Sequence, residues 1–213
     1  NQMNLWRKMT NFELGVRVPL IIRVPWKAAS IGVKSPLLVE AVDLFATLVK
    51  VAGLPAAPVV ENLEGRSFAK VFDDPTSGSL NATFKYAFSQ FAKRDVKESE
   101  VSSHPMVPWD ECTKCTHEEI MYMGLSVREE RFRYTEWYIW NNVTDKPRWS
   151  NGTYSVELYD HLGDFGEDLD VATATNNLAV GASAAEHAAV MARLAAALKA
   201  QFQNDYQPPD GVQ

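Results

Sequence analysis

The side chains able to do chemistry are few, and most of them cluster loosely in one polar stretch. Cys112-Thr113-Lys114-Cys115 holds both cysteines of the chain, with His104 and His117 nearby. Thiolates and imidazoles in that arrangement suit a zinc ion. The same C-x-x-C spacing also suits a redox-active dithiol, a local disulfide, or two thiols of no consequence. A redox pair usually opens a helix beside a strand, and this one sits in a polar loop. Asp160-His161 sets a carboxylate beside an imidazole, which a metal could use, but the pair also reads as a strand end running into a turn. The four histidines, His104, His117, His161 and His187, show no spacing that places two ligands on one helix face. No G-x-S-x-G, phosphate-binding P-loop or H-E-x-x-H occurs. Asn81-Ala82-Thr83, Asn142-Val143-Thr144 and Asn151-Gly152-Thr153 are acceptor triplets for N-linked sugar, all in expected loops, and favour a secretory route.

The elements that must position these residues belong to an ordinary packed protein. The chain has 213 residues, 46% hydrophobic and 23% charged, which excludes disorder and coiled coil as descriptions of the whole. Its 21 basic residues against 27 acidic leave a net charge of −6, a poor match to nucleic-acid phosphates. No stretch reads as a membrane span, since Val16 to Trp26 is interrupted by Arg17, Pro19, Arg23 and Pro25. The chain opens on Asn1 without a basic and apolar leader, and we expect that residue 1 is not the natural start of the gene product.

Val18 to Val24 is β-branched, bounded by prolines, and predicts a strand buried on both faces. A helix is predicted over 37–52. Pro36 stands at its start, Gly53 at its end, and Leu38, Ala41, Val42, Phe45, Leu48, Val49 and Ala52 form its apolar stripe. One or two helical turns are expected around Ser67 to Phe72. Further strands are predicted near 86–91, 121–128, 131–140 and 156–159, with Glu129-Glu130 as a tight turn between the second and third. Residues 92–119 read as irregular, either a solvated insertion or one that shapes a pocket. A helix is predicted over 182–203, with Met191, Leu194, Ala195, Leu198 and Phe202 inward. The division expected is 1–84 and 85–213. Strand-then-helix in the first part and antiparallel strands with a covering helix in the second give an α/β class.

One segment is more specific than any of these. Lys8, Thr10, Phe12, Glu13 and Arg17-Val18-Pro19-Leu20-Ile21 resemble the sulfatase family in the pattern K-x-[TS]-x-[FYW]-E-x-x-x-R-V-P-L-[IL]. The resemblance continues in order along the chain. Asp43-Leu44-Phe45-Ala46-Thr47-Leu48 with Ala52-Gly53-Leu54 is similar to the family's following helix, and Glu64-Gly65-Arg66-Ser67 to its next turn. Met123-Gly124-Leu125-Ser126-Val127-Arg128 and Phe132-Arg133-Tyr134-Thr135-Glu136-Trp137 resemble a family strand pair. Glu157-Leu158-Tyr159-Asp160, Asp164, Glu167 and Asn177-Leu178-Ala179 resemble its terminal segment, with Phe165 and Gly166 where the family usually has proline. Within the family these segments resemble the iduronate-2-sulfatase branch.

The resemblance implies an alkaline-phosphatase-like α/β fold. It would comprise the end of the large mixed sheet and a small four-stranded antiparallel sheet with its C-terminal helix. It implies hydrolysis of sulfate esters, expected to be those of sulfated sugars. Lys8 would be a substrate-binding and catalytic donor to the sulfate, with Glu13 and Arg17 bracing its loop through an ion pair. The family's formylglycine, made from Cys or Ser in C/S-x-P-S/A-R, has no counterpart here. The Asp-Asp and Asp-His ligands of its divalent cation, expected to be calcium, would lie upstream. The expectation is therefore a C-terminal portion that is inactive without its N-terminal half, in a lysosomal, extracellular or periplasmic setting. The alternatives are a non-catalytic sulfatase-like binding module and a phosphate or phosphonate ester hydrolase of the same superfamily.

Overall fold

A computed structural model describes residues 10–55, 63–76, 78–81, 83–94, 110–111, 115–162 and 184–203. These group into two units, one of residues up to Val18 with those from Phe88 onward, the other of Pro19 to Ala87. The residues before Pro19 group with the later part of the chain, not with 19–87.

The first unit is a six-stranded sheet with a long helix. Its strands are β1 (Ala87–Arg94), β2 (Asp110–Glu111), β3 (Tyr122–Arg128), β4 (Phe132–Asn141), β5 (Lys146–Pro147) and β6 (Ser155–Asp160). The order is β2-β1-β3-β4-β5, and β6 also pairs with β4. The pairs β1/β2, β3/β4, β4/β5 and β4/β6 are antiparallel. The β3–β4 turn closes with Glu129 N–H donating to Phe132 O at 2.9 Å, which centres it on Glu130-Arg131, one residue later than the expected Glu129-Glu130.

Because β4 is central, both its faces are buried from Phe132 to Tyr138. Met123, Leu125 and Val127 stand opposite Tyr138, Glu136 and Tyr134, and all six are almost fully buried. Glu136 is tolerable there because the hydroxyls of Tyr134 (2.7 Å) and Tyr138 donate to its carboxylate. The intervening residues share the opposite face, as the two-residue period of a strand requires. These are Gly124 with Trp137, Ser126 with Thr135, and Arg128 with Arg133.

The long helix, α3 (Ala184–Gln203), buries Val190, Leu194 and Leu198 completely or nearly so, and Phe202 packs edge-on against Phe88. His187 extends the same stripe one turn earlier. It is fully buried, and neither ring nitrogen has a hydrogen-bond partner among the described residues. Arg193 ties the helix to the β3–β4 turn through both oxygens of Glu129.

The second unit corrects two expectations. Val18 to Val24 is extended, with Ile22 and Val24 turned inward and Ile21 92% exposed, but it joins no ladder among the described residues. A strand-forming composition sets side-chain alternation, whereas a strand requires a hydrogen-bonded neighbour. The predicted 37–52 helix is shorter: α2 runs Asp43–Val51 and buries Asp43, Ala46 and Thr47, while Val42, Phe45 and Leu48 are more than half exposed.

Polar satisfaction turned this helix. The Asp43 carboxylate accepts from Glu40 N–H (2.9 Å) and Arg66 N–H (2.7 Å), which spends it on the preceding turn and on a distant segment. Thr47 Oγ1 donates to Asp43 O (2.7 Å) and accepts from Phe68 N–H (3.0 Å). Both side chains must therefore face the 64–68 turn. That turn brings Phe68 into a cluster with Val24, Val71, Phe72 and Phe84, where Phe68 and Phe84 meet edge-on at 6.2 Å. Expected helical turns near here are seen as one, Ala69–Phe72.

The latch also explains a glycine. A Cβ on Gly65 would stand 1.9 Å from the Val42 carbonyl oxygen, so the turn approaches α2 too closely for any other residue. Gly65→Ala is expected to destabilise the protein by at least about 2 kcal/mol in urea unfolding. Gly78→Ala, whose new methyl would meet only the Asn81 side chain at 3.5 Å, is expected to stay within about 0.5 kcal/mol of the parent.

Candidate functional site

The strand register sets two like charges face to face. Arg128 of β3 is the cross-strand partner of Arg133 of β4, and both are buried, at 8% and 2% exposure. Opposed cations repel, and removing them from water adds to the cost, so the pair requires a buried anion. Glu13 supplies it from α1 (Glu13–Val16), a single helical turn. Its Oε2 accepts from Arg128 Nε at 3.1 Å and from Arg133 Nη2 at 2.5 Å. Arg133 also donates to Ser126 Oγ (3.3 Å), which accepts from Thr135 Oγ1 (2.9 Å) as well. Burial pushes the Glu13 carboxyl upward, but Arg133 and then Arg128 outweigh it and hold the group below the usual carboxylate range.

Two neighbours pin the same segment to the same sheet. Asn11 is buried, donating through Nδ2 to Gly124 O (2.9 Å) and accepting at Oδ1 from Ser89 Oγ (3.0 Å). Phe12 packs edge-on against Tyr159 of β6 at 5.6 Å. The three consecutive side chains Asn11, Phe12 and Glu13 thus engage β1, β3, β4 and β6. Thr10 Oγ1 accepts from Phe12 N–H (3.2 Å) and tightens the approach.

Lys8 lies outside the described residues, as do His104 and Cys112. Arg17 does pair with Glu13, but at 3.4 Å and with its side chain 70% exposed, so it is the weakest of the three arginine contacts. Arg128 and Arg133 escaped a role in the sequence reading. The expected turn at Glu129-Glu130 would have set Arg128 opposite Arg131, so the Arg128–Arg133 opposition emerges only with the observed register.

Cys115 is disulfide-bonded. His117 Nε2 stands 2.5 Å from Asp145 Oδ1, an exposed pair in which Asp145 first raises the imidazole's affinity for its proton. Asp160 ends β6 and is gripped through both oxygens by Arg131, at 2.8 and 2.6 Å. Among the described residues no three of His, Cys, Asp and Glu stand together to hold a metal ion. Asn81 and Asn151 lie exposed on turns, whereas Asn142 Nδ2 donates to Glu118 O at 2.8 Å.

No family model matches the chain. It is 30% identical over 173 residues to iduronate 2-sulfatase of Homo sapiens, covering 64% of this chain and 30% of that protein. It is 40% identical over 67 residues to a sulfatase of Formosa agariphila, covering 30% of this chain and 12% of that protein. The chain is similar to these sulfatases over part of its length. It spans less than a third of the length of either of these relatives. A solved structure of a 2-O GAG sulfatase aligns with 77% of this chain and 25% of its own, at 19% identity and a TM-score of 0.41. Among the described residues no helix is long and apolar enough to cross a membrane.

The clasp makes a signed prediction. Glu13 binds protons less readily folded than unfolded, and so does Asp160, where Arg131 and the Leu162 N–H overcome the upward push of burial. Their stabilisation is complete above the unfolded carboxylate range of about 4–4.5 and is lost as pH falls through the lower folded values. The contribution of these two carboxylates to the urea midpoint should be flat above about pH 5 and fall below it. Glu13→Gln should cost about 3–5 kcal/mol at neutral pH and flatten the acid limb, since Arg128 and Arg133 would then oppose each other without a counter-charge.

Proposed function

We propose that the chain is the C-terminal portion of a metal-dependent sulfatase that hydrolyses sulfate esters of sugars. It would act together with an N-terminal portion bearing the formylglycine and the cation, expected to be calcium. The observation that carries this reading is the 30% identity over 173 residues to iduronate 2-sulfatase. Moving a sulfuryl group passes a dense negative charge through the transition state, so catalysis needs fixed positive donors where the oxygens will be. Lys8 is the donor assigned to this chain, a compact cation with three N–H bonds. Glu13, through Arg128 and Arg133, is then the brace of the loop, and Arg17 a lesser one.

The half-exposed stripe of Val42, Phe45 and Leu48 supports a covering partner, and the N-terminal portion is the occupant this reading assigns. The sequons at Asn81 and Asn151 and the disulfide at Cys115 support passage through a secretory compartment, lysosomal or extracellular.

The test is an assay of the longest natural polypeptide carrying this sequence on paired 4-methylumbelliferyl sulfate and phosphate. Turnover of the sulfate is expected to dominate, and Lys8→Ala to lower kcat/KM by roughly 100- to 1,000-fold. Preferential phosphate turnover would favour the phosphate or phosphonate hydrolase, and a folded protein without turnover the binding module. The 213-residue chain alone is expected to hydrolyse neither. Secreted from a eukaryotic host, the chain should lose mass on treatment with peptide N-glycosidase F, and Asn151→Gln should reduce that loss. A chain whose mass does not change would remove the secretory reading.

A further inference from the structure

The sheet face that carries Arg128 and Arg133 has a second feature at its other end. There Lys93 of β1, Tyr122 of β3, Trp137 of β4, Ser155 and Glu157 of β6, and Tyr154 just ahead of β6 line an open cavity of about 180 Å³. It lies four residues along β3 and β4 from the Arg128–Arg133 pair, about 13 Å at the strand rise. None of these side chains has a part in the hydrolytic reading.

The walls are rigid for a surface cavity. Gly124 stands opposite Trp137, and a Cβ on Gly124 would fall 2.8 Å from the indole, so the ring lies flat against bare backbone. Lys93 Nζ covers the ring at 4.0 Å from its centroid, and Trp137 Nε1 donates to Glu157 Oε1 at 2.8 Å. The indole is thereby held on three sides and forms part of the cavity's inner wall. Tyr122 and Tyr154 meet at 4.8 Å with their rings tilted by 42°, and Tyr154 remains 55% exposed, presenting aromatic surface at the rim.

The chemistry is amphipathic and electrically balanced. One ammonium and one carboxylate attract each other across the site, and burial lowers the Lys93 pKa while Glu157 raises it. An anionic ligand would meet Glu157 and a cationic one Lys93, so a neutral ligand is favoured. Vicinal hydroxyls can accept from an ammonium and donate to a carboxylate at once, and a pyranose also has an apolar C–H face to lay on tyrosine. A proline-rich peptide would offer the apolar face but no donors for Glu157. The volume accommodates a single ring.

We propose that this cavity binds one neutral hexopyranose unit, stacked on Tyr154 and hydrogen-bonded to Lys93, Ser155 and Glu157. The inference does not depend on hydrolysis.

The full chain is titrated with methyl glucoside, methyl galactoside, N-acetylglucosamine, glucuronate and a proline-rich peptide, following its tryptophan and tyrosine NMR resonances. At least one neutral sugar is expected to give a saturable shift with Kd of order 1–10 mM, the range of a few hydrogen bonds and one stacked ring. Glucuronate is expected to bind at least about threefold more weakly than methyl glucoside. Tyr154→Ala, at a half-exposed position that should leave folding intact, is expected to weaken sugar binding at least about tenfold, and Tyr154→Phe to retain it. Absence of any saturable shift up to about 50 mM in a chain with a native near-ultraviolet spectrum would overturn the proposal. So would sugar binding unaffected by Tyr154→Ala, or saturation by the peptide alone.

Discussion

The first unit depends on one buried carboxylate. Without Glu13, the β3–β4 hairpin would hold two buried guanidinium groups face to face, at 8% and 2% exposure. With it, the repulsion between Arg128 and Arg133 becomes the attachment of a short helical turn to the sheet. Both arginines converge on a single oxygen, and Ser126 and Thr135 complete the hydrogen bonding on the same face. The energy of such a cluster lies mainly in what would follow its disruption, since unpaired buried charges cost far more than the paired set contributes. Its value is therefore positional: it sets where residues 10–16 lie relative to four strands.

The second unit is organised by the same economy on a smaller scale. Asp43 and Thr47 each satisfy two backbone groups, and the helix turns its polar side inward to let them do so. An apolar stripe is left facing out as the consequence. In both units a polar residue whose partners lie distant in sequence decides which face of a helical segment is buried.

The opposite ends of one sheet face therefore carry different chemistry. One end is strongly cationic and neutralised by an inserted acid. The other is aromatic, balanced in charge and open. Trp137 can lie flat there because its cross-strand neighbour is Gly124, while Arg128 and Arg133 face each other because the same register places them so. A shift of one residue would turn both features over to the other face, so the tight turn at Glu129 controls them together.

Much of the architecture was legible in local patterns. The strands over 122–128, 132–141 and 155–160 and the helix over 184–203 follow from residue alternation and helical spacing, which are properties of neighbouring residues. The ordered set of short matches also pointed to sulfatases. The stripe of α2 misled because apolar spacing cannot weigh the hydrogen bonds that Asp43 and Thr47 find in residues 66–68. The segment 18–24 misled because composition does not supply a ladder partner. Arg128 and Arg133 were visible as residues, but neither their opposition, which depends on the observed register, nor their neutralisation by an acid more than a hundred residues earlier was legible. By itself the sequence determined the hairpin strands, the terminal helix and the family likeness. Only the tertiary structure decided which charges meet and which face of each element is covered, because those choices depend on satisfying buried polar groups across long separations in the chain.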